Sequence, residues 1–152
     1  MYEYYKGFII REGSKGIQAD LIKKVYTEVG WTSSSQPKWQ DEKYEICFNN
    51  SAWIFTVWDK EEMIAMVRVV SDKVMTATIQ DLAVLEPYRG KGIGKKLVQL
   101  CLQKLPHGNW WVHTTPDNYE FYKKCSFDLP NLTEAATLTY MGFTKARLDG
   151  HR

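Results

Sequence analysis

The stretch EPYRGKGIG, residues 86–94, holds three glycines, a proline and an arginine in nine positions. An apolar run precedes it and a helical period follows. A helix start leaves its first N–H groups without intrahelical partners, and the helix dipole adds partial positive charge there. Glycines remove the side chains that would keep an anion from those groups. Arg89, Lys91, Lys95 and Lys96 add charge around the same point. The chemistry this predicts is binding of a phosphate or pyrophosphate. A plain glycine-rich turn joining strand to helix is the alternative reading. Two familiar phosphate loops fail here: GxGxxG begun at Gly90 meets Lys95 at its third glycine, and GxxxxGK[ST] meets Arg89 at its first position and Lys96 at its last.

The elements that must position this loop read as mixed α and β. Residues 5–12 are expected as a strand, 18–29 as a helix stopped by Gly30, and 37–48 fit helix or strand equally. Three strand-like runs follow at 51–58, 63–70 and 74–84, with DKEE and SDK as hairpin turns. A helix is expected over 92–105, a strand over 110–115, a short helix over 118–125 and a last strand over 136–143. The order implies a largely antiparallel meander followed by a strand–helix–strand crossover. A length of 152 residues points to one domain over 1–152. A net charge of +2 gives no case for nucleic acid or an anionic membrane. No run approaches the ~18 apolar residues of a membrane span, and the N-terminus does not read as a signal peptide. Cys47, Cys101 and Cys125 are widely spaced and form no CxxC, so neither a metal site nor a disulfide framework is expected. The default setting is the cytoplasm.

Residues 89–94 also match [RQ]-x-x-G-x-[GA]. With DLAVLEPYRGKGIGKKLV (81–98) and FYKKCSF (121–127), the chain resembles the GNAT superfamily of N-acetyltransferases over about 51–127. YTEVGW (26–31) and NNSAW (49–53) are similar to a branch that includes plant serotonin N-acetyltransferases and small bacterial proteins. The resemblance implies the GNAT fold, an α/β (α+β) domain with a mixed, mostly antiparallel central sheet flanked by helices. It implies acetyl-CoA as cosubstrate, with the pyrophosphate on the backbone of Arg89, Gly90, Lys91, Gly92, Ile93, Gly94 and Lys95. The pantetheine arm would pair with the main chain of Leu82, Ala83 and Val84, as an amide ligand can on a free strand edge. Tyr122 takes the place of the family's general acid, which protonates the departing thiolate. Ser126 stands where the family usually has glycine, which bears on the acceptor side of the site.

The acceptor amine must lose a proton before it attacks. Asp81 is the candidate base or ammonium anchor: alternation puts it on one face with Ile79 and Ala83, and burial would raise its pKa toward a base's working range. A structural, hydrogen-bonded Asp81 is the alternative, as a packed tyrosine is for Tyr122. Glu28 at a helix end, His113 in its strand and the cysteines are weaker candidates, and Cys101 reads as core. Trp31 and Trp39 could wall an amine site. The implied function is acetyl transfer to a primary amine, a small molecule being favoured, by direct attack in a ternary complex. A peptide or protein acceptor and a non-catalytic acyl-CoA-binding module are the alternatives. Homodimers are common in the family, but nothing in the sequence specifies an interface.

Overall fold

The computed structural model describes residues 1–33, 35, 38–130 and 148–150. Among these, six strands form one sheet in chain order: β1 (Tyr2–Tyr5), β2 (Phe8–Glu12), β3 (Trp53–Asp59), β4 (Glu62–Ser71), β5 (Thr76–Val84) and β6 (Asn109–Val112). Every neighbouring pair is antiparallel except β5 and β6, which run parallel. Helices α1 (Ala19–Glu28) and α2 (Lys38–Asn49) lie between β2 and β3, α3 (Ile93–Lys104) carries the β5–β6 crossover, and α4 (Tyr119–Lys123) follows β6. The strand expected over 136–143 lies outside the described residues.

Both faces of the sheet are covered, which explains the unbroken apolar run of β4, buried at every position from Met63 to Val67. One core packs Phe55, Val67 and Ile79 against Ile93, Leu97, Val98 and Cys101 of α3. The other packs Ile54, Met66 and Ala83 against Ile22 and Val25 of α1 and Phe48 of α2. The α2 segment had equal claims as strand and helix; its helix buries Phe48 and joins α1 through a Lys23–Asp41 ion pair at 3.0 Å. Glu45 of α2 accepts the N–H of Ala19, capping a helix whose own N-cap residue, Gln18, makes no side-chain cap.

Two expectations are corrected. The strand expected over 5–12 is a hairpin, because Lys6 and Gly7 both take positive φ (50° and 88°) and form a two-residue turn between Tyr5 and Phe8. The alternation that put Asp81 on one face with Ile79 and Ala83 is broken by a bulge. Arg68 pairs with Asp81 and Val69 with Ile79, so Gln80 is an extra residue on β5. Ile79 therefore joins the α3 core, while Ala83 joins the α1 core.

Helices α1 and α4 end in the same motif. The N–H of Trp31 bonds the carbonyl of Tyr26 and that of Gly30 bonds Thr27; the N–H of Phe127 bonds Tyr122 and that of Ser126 bonds Lys123. The left-handed residue is Gly30 (φ 82°) in one and Ser126 (φ 72°) in the other. Ser126 thus makes the turn that glycine makes in the family, at the cost of holding an L residue in that region. Ser126→Gly is expected to raise the unfolding free energy by up to about 1 kcal/mol, a rise of roughly 2–4 °C in the melting midpoint for a chain of this size. A lower midpoint would show that the serine side chain offsets its own strain.

At the β4–β5 turn, Asp72 accepts the N–H groups of Thr76, Val74 and Met75, which hold its carboxyl down at about 2. A carboxyl depressed in the fold contributes stability above the ordinary aspartate pKa of about 3.9 and loses it as the pH falls toward the folded value. Urea unfolding of Asp72→Ala should therefore show a lower midpoint than wild type at pH 6, with the gap narrowing between pH 4 and pH 2. A gap independent of pH would show that the turn does not depend on the charge.

Candidate active site

β6 follows β5 only as far as the Ile79–Val112 pair. Beyond it the two strands part at the Gln80 bulge, while β5 stays paired to β4 as far as Val84. The space between them is a cleft of about 600 Å³. Gln80, Leu82, Ala83 and Val84 line it from β5, and Val112, His113 and Thr114 from β6 and the residues after it. The strand expected over 110–115 ends at Val112, which frees His113 and Thr114 for this wall. A strand with one edge unpaired offers main-chain N–H and C=O groups to an amide-bearing ligand.

The glycine-rich loop meets the cleft at the start of α3. Gly92 (φ 81°) occupies the N-cap position and supplies no side-chain cap. The first intrahelical N–H is that of Lys96, bonded to the Gly92 carbonyl at 3.0 Å, so those of Ile93, Gly94 and Lys95 have no partner within the helix. All three residues line the cleft, with Arg89, Gly90 and Gly92. A Cβ on Gly92 would lie 2.9 Å from Tyr5 Oη, and one on Gly94 would lie 3.2 Å from the Phe121 ring. The loop is bare both because its backbone takes a left-handed turn and because neighbours pack directly on it. Unpartnered N–H groups, a helix dipole and nearby cations make a fit for phosphate. Arg89 is anchored to the end of β5, its Nε donating to the Val84 carbonyl at 3.0 Å.

Nine of the ten residues that the sequence assigns to the cosubstrate line this one cleft; Lys91 does not. Tyr122 lines it too, on α4, and is 7% exposed. Its ring stands edge-on to Phe121 and Phe127, at 5.0 Å and 5.7 Å between centroids. Burial, and then the neighbouring Cys125 and Cys101 thiols, push its phenol up to about 12. The hydroxyl has no hydrogen-bond partner among the described residues. Cys101 is fully buried against the sheet, and burial raises its thiol to about 12. Cys125 lines the cleft, where burial raises its thiol and Lys95 opposes that shift.

Asp81 is not in the lining. Its Oδ2 accepts a hydrogen bond from Tyr26 Oη and another from Arg68 Nε, each at 2.6 Å. Arg68 also reaches Ser51 Oγ at 3.4 Å. Burial, then the Asp81 charge, raise the Tyr26 phenol far above the ordinary range. Tyr26 stands edge-on to Trp31, which is 49% exposed and lines the cleft with Val29. The ion pair thus holds the end of α1, and with it Trp31, against β5. Glu28 faces Lys24 at 3.8 Å and is not in the lining either. No carboxylate belongs to the described lining; its imidazole is that of His113. The Trp39 side chain lies outside the described residues. Among those residues no group of three His, Cys, Asp or Glu could hold a metal ion.

Sequence reasoning missed the part played by the β1–β2 hairpin. Besides the approach of Tyr5 to Gly92, Lys6 Nζ donates to the Lys91 carbonyl at 3.0 Å, and Glu3 pairs with Lys96. The one local signal was the Lys6–Gly7 dipeptide, a weak turn former beside Asn–Gly.

A model of the "Acetyltransferase (GNAT) family" matches residues 20–127. Among curated proteins, an uncharacterized N-acetyltransferase of Pyropia yezoensis is 27% identical over 126 residues, covering 78% of this chain and 70% of its own. A chloroplastic GCN5-related N-acetyltransferase of Arabidopsis thaliana is 24% identical over 127 residues, covering 80% and 62%. Among solved structures, a GNAT-family acetyltransferase of Streptococcus pneumoniae superposes with a TM-score of 0.74 at 23% identity, over 88% of this chain and 97% of its own. The matched segment contains the parting strands, the glycine loop and the α4 tyrosine, and the chain belongs to the GNAT family of acetyltransferases.

Proposed function

We propose that the chain binds acetyl-CoA in the β5–β6 cleft and transfers its acetyl group to the primary amine of a small molecule, which attacks directly in a ternary complex. One observation carries this reading: among the described residues, the N–H groups at the start of α3, the β5 edge beyond Ile79 and the hydroxyl of Tyr122 have no partner, and all three share a single cleft.

The cosubstrate supplies an acetyl thioester, already activated toward amines. The N–H groups of Ile93, Gly94 and Lys95 would hold its pyrophosphate, and the edge of Leu82, Ala83 and Val84 its amide-bearing arm. Tyr122 keeps its proton at every physiological pH, since burial holds its phenol near 12. An ordinary thiol, at about 8.5, is the stronger acid. Tyr122 therefore acts as a hydrogen-bond donor to the negative charge that develops on sulfur as the carbon–sulfur bond breaks, and the proton that ends on sulfur is the one the amine nitrogen loses on becoming an amide. The enclosing Phe121 and Phe127 rings fix the phenol and limit competition from water. Val29 and Trp31 present an apolar, aromatic wall suited to a compact amine. With no carboxylate in the described lining, nothing there holds the amine as an ammonium, which favours its attacking form. Asp81 stands behind this wall, and we assign it the holding of α1 rather than proton removal, because it is not in the lining and its protonation would leave the Arg68 charge without its counterion. Three free cysteines suit a reducing compartment, a condition that cytoplasm and plastid stroma both meet.

Two variants test the halves of this reading. Gly92→Glu places a carboxylate and a left-handed strain where the pyrophosphate is assigned; calorimetry with acetyl-CoA should lose binding while circular dichroism stays unchanged. Undiminished affinity in the folded variant would sink the loop assignment. Tyr122→Phe removes one hydroxyl and keeps the ring, so affinity for acetyl-CoA should hold while kcat and kcat/KM fall together by about 10²-fold. Single-turnover rates equal to wild type would make Tyr122 a packing residue.

A further inference from the structure

We propose that Lys6, at the tip of the β1–β2 hairpin, is a phosphate-binding residue of the acetyl-CoA site, an inference that rests on the reading above. The hairpin precedes the segment that matches the family model, which begins at residue 20, so the match assigns it no role. Yet it is folded directly onto the loop. Lys6 Nζ lies 3.5 Å from where a Cβ of Gly92 would stand, and one of its three donors is used on the Lys91 carbonyl at 3.0 Å. The Tyr5 ring holds two ammonium groups, with Lys6 Nζ at 5.4 Å and Lys96 Nζ at 5.8 Å from its centroid. Glu3 neutralises Lys96. No carboxylate within salt-bridge distance among the described residues does the same for Lys6.

The arrangement gathers like charges at one loop and leaves one of them, on an exposed residue, with two donors unspent. Like charges brought together raise the free energy of the empty protein, and a bound polyanion relieves it. Coenzyme A carries two such groups, the pyrophosphate and the 3′-phosphate, and the chemistry of an ammonium suits either as a point charge. The hydrogen bond to Lys91 aims the side chain at the loop before any ligand arrives, so little rotamer freedom remains to be lost on binding.

The test is calorimetry of coenzyme A and 3′-dephospho-coenzyme A with wild type, Lys6→Met, Lys6→Gln and Lys6→Arg at low salt. Lys6→Met should weaken coenzyme A binding about fivefold, in the range of an exposed ion pair, and the difference should shrink in 0.5 M salt. Lys6→Arg should retain affinity. Lys6→Gln, which keeps a donor for the Lys91 carbonyl but drops the charge, should lose as much as Lys6→Met. A loss confined to coenzyme A would place Lys6 on the 3′-phosphate, and an equal loss for both ligands would place it on the pyrophosphate; either outcome supports the proposal. Wild-type affinity in Lys6→Met, or full affinity in Lys6→Gln, would overturn it, the second by showing that Lys6 only locks the loop. Absence of coenzyme A binding by wild type would overturn the acetyltransferase reading and this inference with it.

Discussion

Among the described residues, β5 has a full partner on one side and only half a partner on the other, and the site depends on that difference. β4 is paired to it from Ser71 to Ala65, and β6 accompanies it for four residues and then leaves. A sheet tolerates such a break only where something else takes the unpaired groups or keeps them wet. Gln80 makes the break local: as an inserted residue it bends β5 away from β6 and reverses the faces of everything after it. Two cores then meet at this strand, with Ile79 under α3 and Ala83 under α1. The cleft is thus a consequence of packing on both sides of the sheet.

The Arg68–Asp81 pair sits at this reversal. Both side chains are about one-fifth exposed, which softens the desolvation that a fully buried pair would suffer. What the pair contributes is direction. It accepts the Tyr26 hydroxyl and so ties the last turn of α1 to the strand one residue beyond the bulge. Trp31 then follows from the helix-end motif that bonds its N–H to the Tyr26 carbonyl. Three contacts in series therefore set one wall of the cleft.

Much of this was legible in the sequence because its causes are local. The glycine loop, the α3 period and the FY pair are short-range signals, and the loop residues other than Lys91 share one cleft with Phe121 and Tyr122. Asp81 was put on the face of Ile79 because strict alternation was extended through a residue that the neighbouring strand does not match, and no feature of IQDLA announces an insertion. The segment 37–48 was ambiguous because Tyr44, Ile46 and Phe48 alternate while Tyr44 and Phe48 also share a helical spacing. Its contact with α1 decides the matter, and that contact is tertiary. The hairpin was missed for a similar reason, since Lys–Gly turns are weak and the loop that Tyr5 and Lys6 touch lies more than 80 residues away.

The enclosure of Tyr122 has a consequence for how the protein would answer to acidity. With the phenol held near 12, the hydrogen-bond donor of the proposed reaction has no titration between neutrality and mild alkali. A rate that climbs over that interval would then report a group other than Tyr122, the acceptor amine among them. Each amine accepted would then bend the curve at its own constant, and the bend would move from one acceptor to the next while the protein stayed the same.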